Sequence, residues 1–316
     1  MSALRPVGTS GLDIRPLVLG GNVFGWTADK ATSFRILDRF TEAGQVMIDT
    51  ADVYSAWVPG HQGGESESVI GEWLKTSGKR DKVMIATKVG MLPGEGGEKL
   101  APARIAAAAD ASLQRLAIDT IDLYYAHQDD DAVPQADVLA AFARLIDAGK
   151  VHAIGASNFS AIRLKSALDL ATREDLPHYR ALQNEYNLVS RHKFEGEMQD
   201  LCVTHNIAGL PYYGLASGYL TGKYRSAEDT GKSVRGGRMD AYMNGNGPAV
   251  LAVMDEVAAE TGASLAQIAL AWLMAQPGIT APIASATSLD QLEDLLGALE
   301  VTLSAEQLEK LSEAGV

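Results

Sequence analysis

The feature that most constrains the fold of this chain is a regular alternation between short apolar runs and amphipathic segments. The runs are rich in Val, Ile and Leu and are continuously apolar, which is typical of strands buried on both faces of a parallel sheet. The pattern predicts eight such strands, at residues 17–19, 46–48, 83–86, 121–125, 151–154, 181–183, 207–210 and 279–283.

The segments between the runs carry apolar residues at helical spacing. Val138, Phe142 and Leu145 recur at intervals of four and three residues, which places them on one face of a helix. Ser264 and Gln267 stand three residues apart before another apolar segment, which predicts a capping box at the start of a helix. We therefore expect strands and helices to alternate along the chain.

Strand–helix units that repeat through 316 residues without a Pro-rich or Ser-rich linker predict a single-domain (β/α)8 TIM barrel over residues 1–316. The alternative is a doubly wound open sheet, whose dinucleotide-binding form has G-x-G-x-x-G directly after its first strand. Residues 19–25 read LGGNVFG and lack that spacing. Residues 57–64 and 225–247 predict long βα loops at the C-terminal face, where the active sites of such barrels lie.

The charge balance and the cysteine content limit the possible partners and compartments. The chain has 40 acidic and 27 basic side chains and a formal net charge of −13, which repels phosphate backbones and anionic lipids. We expect neither nucleic acid nor a membrane as a partner. Cys202 is the only cysteine and excludes an internal disulfide. Since residues 1–13 show no signal-peptide pattern, we expect a cytoplasmic protein, monomeric or weakly homo-oligomeric.

Ionisable residues lie at or just after the ends of three consecutive predicted strands. Asp49 and Tyr54 come after the second strand, Lys88 after the third and His127 after the fourth. A lysine beside a phenol is expected to lower the phenol pKa, and a carboxylate can hold that lysine in place. Such a phenol can protonate an alkoxide as it forms, while a histidine orients the carbonyl. Each residue taken singly also has a purely structural explanation, but their joint position favours an acid–base site.

Seven sequence motifs occur in a fixed order between residues 48 and 224, within a match that extends from about residue 8 to residue 311. They are IDTADVY at 48–54, ESE at 65–67, ATK at 86–88, His127, GASNF at 155–159, QNEYN at 183–187 and LASGYLTGKY at 215–224. Together they closely resemble the aldo-keto reductase superfamily. The resemblance implies a barrel that binds a nicotinamide dinucleotide and reduces an aldehyde, a ketone or a sugar-like carbonyl to an alcohol.

The resemblance also implies roles for individual residues. Tyr54 is similar to the general acid of the family, Asp49 and Lys88 to its pKa-tuning partners, and His127 to the residue that orients the carbonyl. Trp26 and Trp57, on the loops after the first two strands, are expected to line the substrate pocket. The implied cofactor contacts are Ser157, Asn158 and Gln183 to the carboxamide, Tyr212 stacked on the nicotinamide, Leu215, Ser217, Gly218 and Lys223 along the pyrophosphate, and Ser285, Thr287, Gln291 and Asp294 at the far end.

One departure from the family pattern concerns the choice of cofactor. Many relatives place Lys or Arg near Ser285 or Thr287 to bind the 2′-phosphate of NADP, and neither position is basic here. Loss of a charge-assisted contact weakens discrimination by roughly 1–3 kcal/mol. NADP is the expected cofactor, and NAD stays possible.

Two other functions are weighed against the reductase. Some family relatives are non-catalytic, cofactor-sensing subunits of membrane channels, but the complete set of four acid–base residues favours an enzyme. A metal-dependent barrel hydrolase would need several converging ligands. The six histidines include no pair at His-x-His or His-x-x-x-His spacing, so no metal site is expected.

Overall fold

The structure is a computed structural model that describes residues 3–226, 228–229 and 239–315. A two-stranded antiparallel hairpin precedes the main sheet, with β1 at Arg5–Pro6 and β2 at Asp13–Ile14. The main strands are β3 Val18–Gly20, β4 Val46–Asp49, β5 Val83–Val89, β6 Ile121–Ala126, β7 Val151–Ser157, β8 Tyr179–Gln183, β9 Ala208–Gly209 and β10 Ile283–Ala284. The hairpin was not predicted, because strands of two residues are too short to give a periodic signal.

Helices connect these strands. They are α1 Lys30–Thr41, α2 Glu65–Ser77, α3 Pro102–Leu116, α4 Gln135–Asp147, α5 Ala161–Glu174, α6 Glu197–Thr204, α7 Met239–Met243, α8 Gly247–Thr261, α9 Leu265–Ala275, α10 Leu289–Gly297 and α11 Ala305–Ala314. The capping box predicted at Ser264 and Gln267 is confirmed at the start of α9.

The eight main strands form one parallel sheet in the order β10-β3-β4-β5-β6-β7-β8-β9. A parallel bridge between Gly209 and Ile279 joins the last strand of this order to the segment that leads into β10. The Ile283 amide donates to the Pro211 carbonyl oxygen across the same seam at 2.8 Å. These contacts curl the sheet onto itself, and the predicted (β/α)8 barrel is confirmed.

Apolar side chains pack on both faces of the sheet, as the continuously apolar runs predict. Met47, Leu123 and Tyr125 belong to a buried cluster inside the barrel. Val7, from the turn of the hairpin, is in the same cluster, so the hairpin helps to cover the barrel interior. Gly155 leaves room for this packing, because a Cβ atom there would lie 2.4 Å from the Tyr125 ring.

The predicted loop at 225–247 is only partly confirmed. Met239–Met243 forms the short helix α7, and α8 begins at Gly247. Gly231, Gly236 and Gly237, which belong to this predicted loop, lie outside the described residues. Of the helices in the described ranges, none alone is long and apolar enough to cross a membrane; α8 and α9 meet that test only as a pair bent by 97°.

Candidate active site

A buried lysine organises the group at the carboxyl ends of β4 and β5. The Lys88 Nζ atom lies 2.7 Å from Asp49 Oδ2, 2.6 Å from the Thr50 carbonyl oxygen and 3.2 Å from the Tyr54 hydroxyl oxygen. Parallel pairing places the last residues of β4 beside β5, with Asp49 opposite Ala86. The Lys88 side chain is fully buried, so its charge depends on these three oxygen atoms.

His127 completes the set predicted from the sequence. It is the first residue after β6, and its amide donates to the Val89 carbonyl oxygen at 2.8 Å. Its imidazole centroid lies 6.1 Å from the Tyr54 ring centroid. The His127 Nδ1 atom is buried and makes no hydrogen bond within the described residues. The structure therefore brings Asp49, Tyr54, Lys88 and His127 together at one end of the barrel.

Burial sets the protonation states of this group. Burial of the phenol, followed by the charge of Asp49, raises the pKa of Tyr54 well above its usual value. Burial, together with the charge of Lys88, holds the pKa of His127 well below its usual value. The expectation of a lowered Tyr54 pKa is wrong for this structure, because burial of the phenol, followed by the charge of Asp49, raises that pKa instead. Tyr54 is protonated and His127 is neutral near pH 7.

The predicted carboxamide-binding residues form a connected polar group beside the acid–base set. Asn158 Nδ2 donates to the His127 carbonyl oxygen at 2.9 Å, and the Tyr212 hydroxyl donates to Asn158 Oδ1 at 2.8 Å. The Ser157 hydroxyl donates to the Gln183 carbonyl oxygen at 2.7 Å. Gln183 also reaches the acid–base set directly, since its Nε2 atom donates to Asp49 Oδ1 at 2.9 Å.

The stretch predicted to contact a pyrophosphate has an unusual backbone. Ser217 and Gly218 adopt positive φ angles of 57° and 97° inside the short helical segment Ala216–Thr221. A Cβ atom on Gly218 would lie 3.3 Å from Lys223 Nζ, so the absence of a side chain lets this cation lie against the backbone. A cation against a backbone turn suits an anionic group. Leu215 instead packs against the apolar core.

The residues predicted at the far end of the cofactor are held by other residues of the chain. Ser285 Oγ donates to Asn22 Oδ1 at 2.6 Å. The amide and the hydroxyl of Thr287 both donate to Gln291 Oε1, at 2.9 and 3.0 Å. Asp294 accepts a hydrogen bond at 2.6 Å from Ser264, the N-cap of α9, so its carboxylate stabilises the packing of α10 on α9.

The two predicted substrate-pocket tryptophans lie together next to the acid–base set. The ring centroids of Trp26 and Trp57 are 5.6 Å apart, and that of Trp57 is 5.8 Å from Tyr54, both edge-on. Trp57 is 47% exposed. The pair forms an apolar surface beside the Tyr54 ring.

A buried charged network behind the acid–base set was not predicted. Asp52 Oδ2 lies 3.3 Å from Arg104 Nη2, and Glu67 Oε2 lies 2.6 Å from Arg115 Nη2. Thr87, next to Lys88 on β5, donates to Glu67 Oε1 at 2.5 Å. The sequence feature that could have indicated this network is the spacing of the two arginines. They are eleven residues apart, which is close to three helical turns and puts both on one face of α3.

Asp52 carries a prediction about stability and pH. Its side chain is fully buried, its Oδ1 atom has no hydrogen bond in the described part of the chain, and burial raises its pKa to about 7 from 3.8. At a pH between these two pKa values, the folded protein keeps a proton on Asp52 that the unfolded chain has released. The contribution of Asp52 to the unfolding free energy therefore falls as pH rises to 7. Asp52→Asn should abolish that slope.

We expect the unfolding free energy of the Asp52→Asn variant, measured with urea, to rise relative to that of the wild type by on the order of 2 kcal/mol between pH 5 and pH 8. Asp81→Asn, at an exposed carboxylate, is the control and should change with pH as the wild type does. A difference between wild type and the Asp52 variant that is the same at both pH values would contradict the prediction.

No group of three or more His, Cys, Asp or Glu side chains in residues 3–226, 228–229 and 239–315 is arranged to hold a metal ion. Lys88 joins Asp49 and Tyr54 by hydrogen bonds between their side chains.

Comparison with known proteins identifies the family. A model described as the aldo/keto reductase family matches residues 16–315. An uncharacterized oxidoreductase of Bacillus subtilis (strain 168) is 32% identical over 97% of this chain and 94% of its own length. A probable voltage-gated potassium channel subunit beta of Oryza sativa subsp. japonica is 32% identical over the same shares. L-glyceraldehyde 3-phosphate reductase of Escherichia coli O157:H7 is 30% identical over 98% of this chain and 91% of its own. The chain therefore belongs to the aldo/keto reductase family, and its relatives support oxidoreductase chemistry of the carbonyl-reductase type.

Proposed function

We propose that this protein reduces an aldehyde or ketone to the alcohol with a hydride from NADPH or NADH, and that Tyr54 donates the proton. The observation that carries the proposal is the Tyr54 hydroxyl, 3.2 Å from the Nζ atom of a fully buried Lys88. Asp49, at 2.7 Å from the same Nζ atom, fixes the lysine in place. A protonated phenol beside a fixed ammonium suits a reaction in which an oxygen atom becomes an alkoxide.

Tyr54, His127 and Lys88 have different roles in the proton transfer. Tyr54 is protonated near pH 7 and donates a hydrogen bond to the carbonyl oxygen of the substrate. His127 is neutral, so it can orient that oxygen with an N–H group without adding a charge. When the carbonyl carbon accepts hydride, the proton of Tyr54 moves to the new alkoxide. Lys88 then stabilises the phenolate through its existing hydrogen bond.

The residues beside this set suit a nicotinamide dinucleotide, which would supply the hydride when bound. Asn158 and Gln183 offer the amide groups that a carboxamide needs, and Tyr212 offers an aromatic ring. Ser217, Gly218 and Lys223 would hold the anionic pyrophosphate, because an exposed cation lies against a glycine backbone there. Because the net charge of −13 repels an anionic cofactor, binding depends more strongly on this local cation.

The two cofactors are expected to bind with similar affinity, NADPH somewhat more tightly. Thr287 and Gln291 are neutral, so a 2′-phosphate gains hydrogen bonds but no ion pair from them. Fluorescence titration should give dissociation constants within about tenfold of each other, equivalent to about 1.4 kcal/mol. Gln291→Arg should raise the preference for NADPH by a further factor of roughly ten. A wild-type preference beyond about a hundredfold for either cofactor would contradict this prediction.

Steady-state turnover distinguishes the enzyme from its main alternative. We expect the absorbance of the reduced nicotinamide to fall when the protein is mixed with NADPH and a panel of simple and sugar-like aldehydes and ketones. Tight cofactor binding without turnover on any carbonyl would instead favour a non-catalytic, cofactor-sensing subunit; the rice relative is named as a probable potassium channel subunit beta. The intact acid–base geometry supports the enzyme.

A further inference from the structure

Two neighbouring tyrosines, Tyr212 and Tyr213, bring their rings together on the segment that follows β9. The ring centroids are 5.0 Å apart and the ring planes cross at 75°, which is an edge-on contact. In an extended chain, successive side chains point to opposite faces, so the rings of adjacent residues do not normally meet. A local turn of the backbone is therefore needed to produce this contact.

Tyr213 itself makes this turn. Its φ angle is +56°, in the left-handed region that favours glycine and is strained for a bulky side chain. The Tyr213 carbonyl oxygen accepts hydrogen bonds from the Asn187 side-chain amide at 2.9 Å and from the Ala216 backbone amide at 2.7 Å. Because Asn187 is fully buried, the surrounding structure holds the strained conformation in place.

The edge-on contact constrains a rotation of the Tyr212 ring that its hydrogen bonds do not. The Tyr212 amide donates to the Asn184 carbonyl oxygen at 3.2 Å, and the Tyr212 hydroxyl donates to Asn158 Oδ1 at 2.8 Å. A phenol oxygen lies on the axis about which the ring turns, so the bond to Asn158 does not fix the plane of the ring. The contact with Tyr213 does.

Both rings are accessible and lie near the acid–base set. The charge of Tyr213 is one of the groups that raise the pKa of Tyr54, after burial of the phenol and the charge of Asp49. The side chains of Tyr212 and Tyr213 are only half-buried, so a planar group can reach the Tyr212 ring from the mouth of the barrel.

We propose that Tyr213 is a positioning residue that fixes the plane of the Tyr212 ring, so that this ring is already oriented to stack on a nicotinamide. A ring held in its bound orientation loses little freedom when a ligand stacks on it, which increases affinity. The strained backbone at Tyr213 has a use in this arrangement, because it brings the two rings together. The inference rests on the proposed use of a nicotinamide cofactor and adds a residue that governs how tightly the nicotinamide binds.

Tyr213→Gly removes the ring and at the same time relieves the left-handed backbone. Fluorescence titration should show the dissociation constant of NADPH rising roughly fivefold, which is within the worth of one aromatic pair. The dissociation constant of 2′-phospho-ADP-ribose, measured by calorimetry, should stay unchanged, because this molecule lacks only the nicotinamide. Melting followed by circular dichroism checks that the variant is folded.

Two further variants at Tyr213 separate the ring from the backbone. Tyr213→Phe keeps the ring and should bind NADPH nearly as tightly as the wild type does. Tyr213→Asn lacks the ring, and because asparagine tolerates the left-handed region it should behave as Tyr213→Gly does. Ala117→Gly is the matched control, since Ala117 is exposed at the C-terminal end of α3 and has a φ angle of +54°. It should change neither dissociation constant.

The possible results distinguish this inference from the proposed function. If the wild type binds NADPH and both variants without the ring bind it equally tightly, the positioning role of Tyr213 is wrong and the reductase function stands. If those variants lose affinity for 2′-phospho-ADP-ribose as much as for NADPH, Tyr213 shapes the whole cofactor site and the inference is again wrong. If the wild type binds neither NADPH nor NADH, both proposals fail.

Discussion

Tyr54→Phe is expected to lower kcat by about 10²–10⁴-fold, the usual contribution of a positioned general acid. The substitution removes the hydroxyl that lies 3.2 Å from Lys88 Nζ and leaves the ring between His127 and Trp57 in place. Cofactor affinity should change little, because the proposed cofactor contacts lie on other strands. Steady-state kinetics with an aldehyde, together with a fluorescence titration of NADPH, measures the two quantities separately.

Tyr212→Phe is the matched control for this experiment. It also removes one tyrosine hydroxyl near the site, the one that donates to Asn158 Oδ1 at 2.8 Å. Its main effect should be on the affinity for the cofactor, with kcat within about tenfold of the wild type. A Tyr54→Phe variant that keeps more than a tenth of wild-type turnover would show that another group supplies the proton.

Asp49→Asn is expected to cause the largest loss of stability, about 3–5 kcal/mol at pH 7, because it leaves a buried ammonium without its counter-ion. Lys88 is fully buried, and its next oxygen partners, Thr50 and Tyr54, are uncharged. Burial already lowers the pKa of Lys88, and Asp49 is the main group that opposes this. Urea unfolding of the wild type and the variant measures the difference.

The loss should become smaller as pH rises toward 10. Without Asp49 the folded protein favours neutral Lys88, while the unfolded chain keeps its proton up to a pKa of about 10.4. The unfolded state then binds more protons, so the unfolding free energy of the variant rises with pH relative to the wild type. A deficit that is constant from pH 7 to pH 10 would mean that Lys88 stays charged.

The double variant Asp49→Asn with Lys88→Met tests whether the unpaired charge, rather than a change in packing, causes the loss of stability. It removes the unpaired ammonium, so most of the lost stability should return, since breaking a buried pair costs more than replacing both partners. Turnover should not return, because Tyr54 still lacks its lysine. A double variant no more stable than Asp49→Asn would show that the ion pair is not the source of the loss.

The sequence was informative wherever a periodic pattern or a strand end fixes a position. Continuously apolar runs indicated the parallel strands, and the barrel followed from their number and spacing. Because the carboxyl ends of parallel strands meet at one face, residues after neighbouring runs, such as Asp49, Lys88 and His127, could be placed together.

Contacts between distant residues, and the extent of burial, could not be predicted in this way. Gln183 bonds to Asp49 from 134 residues away, and no local pattern encodes that contact. The direction predicted from sequence for the Tyr54 pKa shift was wrong, because burial of the phenol, followed by the charge of Asp49, raises that pKa and a sequence does not show burial.

Local patterns in the chain were thus enough to establish the barrel, the family resemblance and the positions of the four acid–base residues. Periodicity and motif order are properties of neighbouring residues, so they can be read without coordinates. The folded structure was needed to show how Lys88 bonds to Asp49 and Tyr54, and which protonation states Tyr54 and His127 adopt. Hydrogen-bond partners and desolvation are set by three-dimensional packing, and a linear sequence does not specify them.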